Sequence, residues 1–196
     1  MLPEQIAAAL ADPGWCLVPD YLSAAETAAL RSECLAAHAA GTFHSAGVGS
    51  GIAEIRSEIR GDQVLWIDES HAGMALQMAL AKLEKLRQAV NQALFLGLFD
   101  VELHFAVYPP GAGYKRHLDR FQDDDRRTLT VILYLNEDWS PEDGGQLHFW
   151  PDSNGDALVI EPTGGSLVTF LSERYWHEVA PARRQRLSLT GWFRRR

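Results

Sequence analysis

Seven histidines occur in the chain, and one of them opens the triplet His117-Leu118-Asp119. In an extended segment residues i and i+2 point to the same side, so this imidazole and this carboxylate can reach one metal ion together. Thirteen aspartates and seven histidines in 196 residues yield about half of one such triplet by chance, so the triplet alone decides nothing. The residues downstream of it, and their order, decide more. A non-haem iron oxygenase holds its metal with two histidines and one carboxylate on one face, leaving three positions for a chelating cosubstrate and dioxygen. His177 is the candidate third ligand. It lies 58 residues beyond Asp119, far enough for intervening strands to return the chain across a barrel mouth. Nine residues further, Arg186 opens a segment that alternates to Phe193. One face of it is Arg186, Ser188, Thr190 and Trp192; the other is Leu187, Leu189 and Phe193. An arginine at the base of a barrel can bind the far carboxylate of a dicarboxylate by a two-pronged pair, with Ser188 or Thr190 adding a hydroxyl. Singly, each residue has a plainer reading: His177 as a packed histidine, the polar strand face as a solvated edge, Tyr114 and Tyr134 as structural tyrosines. The joint order of HxD, His and Arg points to an oxygenase site.

These residues need strands to carry them, and the second half of the chain supplies a period of two. Leu103, Phe105 and Val107 alternate with His104, Ala106 and Tyr108 before the break at Pro109-Pro110-Gly111. Residues 128–135, 146–150, 157–160, 166–171 and 186–193 are further strand candidates, separated by Gly144-Gly145, residues 162–165 and Pro181. Short strands in series without intervening helices predict an antiparallel barrel or double sheet of the jelly-roll kind. The first half reads as helical. Pro3 opens a short helix that Asp12-Pro13-Gly14 stops, and a strand at residues 15–18 comes next. Ser23 and Glu26 have capping-box spacing and start a helix to about Ala40. Residues 41–53, with four glycines, form a loop; 59–67 is a strand candidate. Met74, Met78, Leu83, Leu86, Val90 and Leu94 lie at helical spacing within residues 71–96 and are expected to face the core. The expected architecture is α+β, mainly β: a double-stranded β-helix (jelly-roll) barrel flanked by N-terminal helices. It forms one domain over residues 1–196, with helical support to about 98 and the barrel over about 99–193.

A hydrophobic fraction of 46% and a charged fraction of 22% are those of an ordinary globular domain with a core of its own. Two cysteines without CxxC spacing read as reduced thiols of a cytoplasmic protein. No basic-then-apolar leader and no long apolar run are present, so no membrane role is expected. The net charge of −8 argues against a nucleic-acid partner, which would require a basic face. Six arginines between Arg183 and Arg196 are a local exception, read as a solvated basic edge plus one arginine with a specific task.

The segment from Tyr108 to Asp119, then Leu133 to Trp139, Gly144 to Leu147 and His177 to Arg186, resembles the catalytic domain of the 2-oxoglutarate and iron(II)-dependent prolyl hydroxylases. More specifically it is similar to the Egl-nine type, which hydroxylates hypoxia-inducible factor in animals, and to its bacterial relatives. Residues 58–67, Glu58-Ile-Arg-Gly-Asp-Gln-Val-Leu-Trp-Ile67, match that subgroup, and the likeness covers roughly residues 55–193. The resemblance implies iron(II) held by His117, Asp119 and His177. It implies 2-oxoglutarate bound by Arg186 and Tyr134, with Tyr114 and Thr190 lining its pocket, and dioxygen and ascorbate as further requirements. Arg60, Asp62, Arg127 and Trp192 match positions near the substrate channel, and the glycine-rich loop matches one that closes over the target peptide. The acidic insert Asp123-Asp124-Asp125 and the 41–53 loop depart from the animal sequences. The carboxylate of Asp119 favours hydroxylation over halogenation. The implied reaction is hydroxylation of a prolyl residue in a protein, with release of succinate and CO2, by a monomer. In bacteria the similar enzymes act on elongation factor Tu. The alternatives are the same chemistry on a free amino acid or another side chain, nucleic-acid demethylation, a non-catalytic 2-oxoglutarate or oxygen sensor, and a purely structural barrel.

Overall fold

The computed structural model describes residues 1–47, 56, 58–119 and 126–196. The acidic insert and residues 48–53 of the glycine-rich loop lie outside the described residues. Helices α1 (Pro3–Ala11), α2 (Ala24–Ala39) and α3 (Met74–Leu94) are interleaved with strands β1 (Trp15–Val18), β2 (His44–Ser45) and β3 (Gln63–Trp66). The remaining strands are β4 (Leu98–Tyr108), β5 (Tyr114–His117), β6 (Arg127–Tyr134), β7 (Leu147–Trp150), β8 (Leu158–Ile160), β9 (Leu167–Leu171), β10 (Trp176–Val179) and β11 (Arg186–Arg195). They make two antiparallel sheets, one in the order β1-β9-β6-β11-β4-β3-β2 and one in the order β5-β10-β7-β8. This is the expected double-stranded β-helix with N-terminal helices. The division near residue 98 is less clean than the sequence suggests, because β1, β2 and β3 join the larger sheet.

The alternation of β11 positions the rest. Leu187, Leu189 and Phe193 enter the core that the larger sheet shares with Ile6, Leu10, Leu30, Leu83, Leu86 and Val90 of the helices. The opposite face of the same sheet meets the smaller one around Leu147, Phe149, Phe170 and Tyr175. Helix α3 departs from its expected stripe. Ala75, Leu76, Ala79, Leu83, Leu86 and Val90 are buried, whereas Met74 and Met78 are exposed. At about 100° per residue, Met78 sits roughly opposite Leu83 on the helix. The helix also starts at Met74 rather than near His71, because Glu33 of α2 accepts hydrogen bonds from the amides of Ala75 and Leu76 at 2.9 and 3.1 Å. The strand expected over 59–67 begins only at Gln63; before it, Arg60 bridges to Tyr114 and Gly61 packs against Ala112. Cys16 and Cys34 are free and buried, and burial pushes their thiols up to about 11 and about 12. Among the described residues no helix is long and apolar enough to cross a membrane.

Candidate metal centre

Strands β5 and β10 pair so that His117 faces His177 directly, and Asp119 comes two residues after β5 ends. Each strand is four residues long, too short for periodicity to reveal. The histidine Nε2 atoms lie 3.6 Å from Asp119 Oδ1 and Oδ2 respectively, and the three candidate ligand atoms fall within 4.8 Å of one another. Ligand atoms on one face of an octahedral ion sit ~3 Å apart, so a small closure brings all three onto one ion. Both imidazoles are oriented by backbone: His117 Nδ1 lies 2.7 Å from the Lys115 carbonyl and His177 Nδ1 lies 3.1 Å from that of Tyr175. A carbonyl accepts only, so Nδ1 carries the proton in each ring and Nε2 keeps a lone pair for a metal. Tyr175 is itself fixed, its hydroxyl donating to the Pro13 carbonyl.

Electrostatics prepares the same protonation state. Burial, with His117 beside it, lowers His177 to about 4. Burial would raise the Asp119 carboxyl, but His177, His117 and a hydrogen bond from Thr130 overcome it and hold the group well below the carboxylate range. Thr130 Oγ1 donates to Asp119 Oδ2 at 2.8 Å, and Ser172 Oγ lies 2.9 Å behind it. With its only proton spent on Asp119, Thr130 accepts from Ser172. A neutral His177 and an ionised Asp119 suit a divalent cation.

A cavity of about 70 Å³ runs inward from this cluster and is lined by Tyr108, Arg186, Ser188 and Thr190 among others. A groove of about 680 Å³ between α2 and residues 135–139 is larger, but the His/Asp cluster opens into the smaller space. Arg186 is 1% exposed. Its Nε donates to the Gly145 carbonyl at 2.9 Å, and its guanidinium lies 5.0 and 5.1 Å from the rings of Tyr108 and Tyr134. No carboxylate pairs with it among the described residues. The Tyr134 hydroxyl is likewise buried without a partner, and burial, opposed by Arg186, pushes it up to about 12, so it remains a donor. A buried cation without a counter-charge is strongly unfavourable unless an anion arrives. The donor set fits iron(II), and the bare arginine with the bare phenol fits one carboxylate of a dicarboxylate such as 2-oxoglutarate.

The other residues singled out by sequence divide in two. Tyr114 stacks on His117 at 3.6 Å, and the Arg60 guanidinium lies 4.8 Å from the same ring; Thr190 Oγ1 lies 3.1 Å from Ser188 Oγ. Arg127 covers Trp192 at 3.5 Å and reaches Glu102 at 3.1 Å. Arg60, Tyr114, Thr190, Arg127 and Trp192 all line the cavity, whereas Asp62 does not, and Tyr134 stands behind the lining against Arg186. Asp62 is occupied by Arg60 through two bonds of 2.7 and 3.0 Å, so it positions that arginine. Sequence reasoning missed Thr130 behind Asp119, and Tyr108 and His104 in the cavity wall. The signal available was the alternation of β4, which puts His104, Ala106 and Tyr108 on one face.

Residues 103–194 match the model of the 2OG-Fe(II) oxygenase superfamily. The chain is 31% identical to human Egl nine homolog 1 over 97% of its own length and 46% of that protein's. It spans about half the length of the Egl nine homolog 1 proteins it matches. Among solved structures, a prolyl-4-hydroxylase from Pseudomonas putida is 49% identical, superposes with a TM-score of 0.90 and is covered over 99% of both chains. A prolyl hydroxylase from Trichoplax adhaerens, in complex with a peptide fragment of the hypoxia-inducible factor oxygen degradation domain, is 28% identical with a TM-score of 0.90. There 98% of this chain and 90% of the other are covered.

Proposed function

The chain belongs to the 2OG-Fe(II) oxygenase superfamily, among relatives of the Egl-nine prolyl hydroxylases, and on that premise we propose that it hydroxylates a prolyl residue in a protein segment. The observation that carries this is a His-Asp-His cluster in one cavity with a buried Arg186 that has no carboxylate partner among the described residues. When bound, iron(II) and 2-oxoglutarate supply the oxidising chemistry: dioxygen gives one oxygen atom to succinate and one to the substrate, and CO2 leaves. The protein's own part is placement. His117, Asp119 and His177 would hold the metal. Arg186 and Tyr134 fix the far carboxylate, with Ser188 and Thr190 alongside. Tyr114 braces His117 and bears on Arg60, which Asp62 fixes; Arg60, Arg127 and Trp192 stand on the substrate side. The walls exclude water while substrate is bound. Ascorbate would serve as the reductant for such a site. Elongation factor Tu is the first protein target to test.

Visible absorption under anaerobic conditions tests the core of this reading. Iron(II) followed by 2-oxoglutarate should produce a metal-to-ligand charge-transfer band that is absent in His177→Ala. In Arg186→Ala the band should need roughly 10- to 100-fold more 2-oxoglutarate, the weight of a charge-assisted hydrogen bond. No band in the unmodified protein would refute the site. The prolyl assignment is tested separately, by a mass gain of one oxygen on a proline of elongation factor Tu that depends on 2-oxoglutarate.

A further inference from the structure

The inner face of the larger sheet runs in register from the arginine end of the cavity to its mouth. Arg186 faces Tyr108 across β4, Ser188 faces Ala106, and Thr190 faces His104; on the far side His104 meets Trp66 of β3. His104 thus stands two steps along the face from Tyr108, a strand separation of ~13 Å, towards Trp192 and the metal-bearing mouth. Its ring packs beside two indoles, 4.7 Å from Trp66 and 5.5 Å from Trp192, nearly parallel to the latter at 29°, and the indoles themselves meet at 6.3 Å. His104 is 1% exposed, while Trp66 is 41% exposed at the rim. The three rings therefore form a continuous aromatic shelf from solvent to the site.

The polar atoms of this shelf are bare. Neither ring nitrogen of His104 has a hydrogen-bond partner among the described residues, and Nδ1 and the adjacent Trp192 Nε1 are buried outright. Burial, reinforced by Arg60 and Arg127, keeps the imidazole neutral, so it carries one N–H and one lone pair. Packing alone would be served better by a phenylalanine, which leaves nothing unsatisfied. Proline-bearing segments dock on aromatic faces, and their main chain offers a carbonyl acceptor on one side and an N–H donor on the next residue.

We propose that His104 is a substrate-recognition residue: its imidazole hydrogen-bonds a main-chain peptide group beside the target proline while Trp66 and Trp192 take up the apolar ring. This rests on the prolyl reading of the site. The test titrates N-acetyl-Ala-Pro-Ala-amide, with N-acetyl-Ala-Ala-Ala-amide as control, into oxygen-free protein loaded with iron(II) and 2-oxoglutarate, following tryptophan fluorescence. His104→Phe keeps the ring and removes both nitrogens; it should weaken the proline peptide about tenfold with iron(II) and 2-oxoglutarate affinity unchanged. His104→Gln, which retains a donor and an acceptor, should stay within about threefold of the unmodified protein. Unchanged peptide affinity in His104→Phe overturns the proposal and leaves the prolyl reading standing. A matching loss of 2-oxoglutarate affinity in both variants also overturns it, by making His104 a structural or cosubstrate residue. If the unmodified protein does not distinguish the two peptides, the prolyl reading fails and takes this inference with it.

Discussion

Asp119 has two jobs that pull against each other, since a carboxylate must be buried to sit beside two histidines and must stay ionised to bind a cation. His177 and His117 do most to resolve the conflict, and Thr130 adds one hydroxyl, which Ser172 in turn supports. Outer hydrogen bonds of this kind hold a metal ligand in its binding orientation. Thr130→Val keeps the shape and removes the donor, and iron(II) affinity is expected to fall about 10- to 100-fold with far-ultraviolet circular dichroism unchanged. Competition with a chelating dye measures it, and an affinity equal to that of the unmodified protein would remove Thr130 from the metal centre. At this scale the sequence was informative where chemistry is local. His117 and Asp119 announce themselves through their HxD spacing and Arg186 through the alternation of β11, because a strand repeats every two residues. Thr130, His104 and Trp66 do not, because their roles arise from pairing between strands far apart in the chain, and register is written in no single segment.

Helices were legible from their ends more than from their faces. The capping box at the start of α2 is present as spacing predicts: the Ser23 amide donates to Glu26 at 2.7 Å and the Glu26 amide to Ser23 Oγ at 3.3 Å. What the sequence did not disclose is that Lys82 of α3 also donates to Glu26, at 2.7 Å, tying the two helices together. The Lys82 bond foremost, and the Ser23 amide after it, lower Glu26 from 4.5 to about 2. Between those values the folded form binds fewer protons than the unfolded one, so this contribution is complete above pH 4.5 and is lost as pH falls towards 2. Both side chains are partly solvated, so the whole effect is modest. Glu26→Gln is expected to cost roughly 0.5–1 kcal/mol at pH 7 and to flatten the acid limb of stability between pH 4.5 and 2. Urea midpoints across that range read it, and parallel acid limbs in the two proteins would refute the assignment. The exposed Met74 and Met78 show the other side of the same limit: apolar residues at i and i+4 mark a stripe, but only packing decides which stripe faces the sheet.

Across the molecule, the helical half stabilises and the inner sheet faces react. The arginines near the C-terminus are largely engaged within the fold, Arg194 with Asp100 at 2.7 Å, Arg196 over Phe99 at 4.1 Å and Arg184 with the Glu137 and Asp138 carbonyls at 2.7 and 2.6 Å. The basic edge read from sequence is thus spent on internal pairs. Leu86 is fully buried between α3 and the sheet. Leu86→Ala is expected to destabilise by about 2–5 kcal/mol, seen as a lower urea midpoint, with 2-oxoglutarate affinity at 25 °C unchanged. A parallel loss of affinity would mean that the helical layer shapes the cavity directly. The division tracks β11, in which even-numbered positions from Arg186 to Trp192 line the cavity while Leu187, Leu189 and Phe193 are core. Two histories of selection are therefore written on a single strand, one residue apart. Leu187, Leu189 and Phe193 can drift among residues of similar volume without consequence for chemistry, and a lineage can exchange Trp192 to take a new target without first having to evolve a new scaffold.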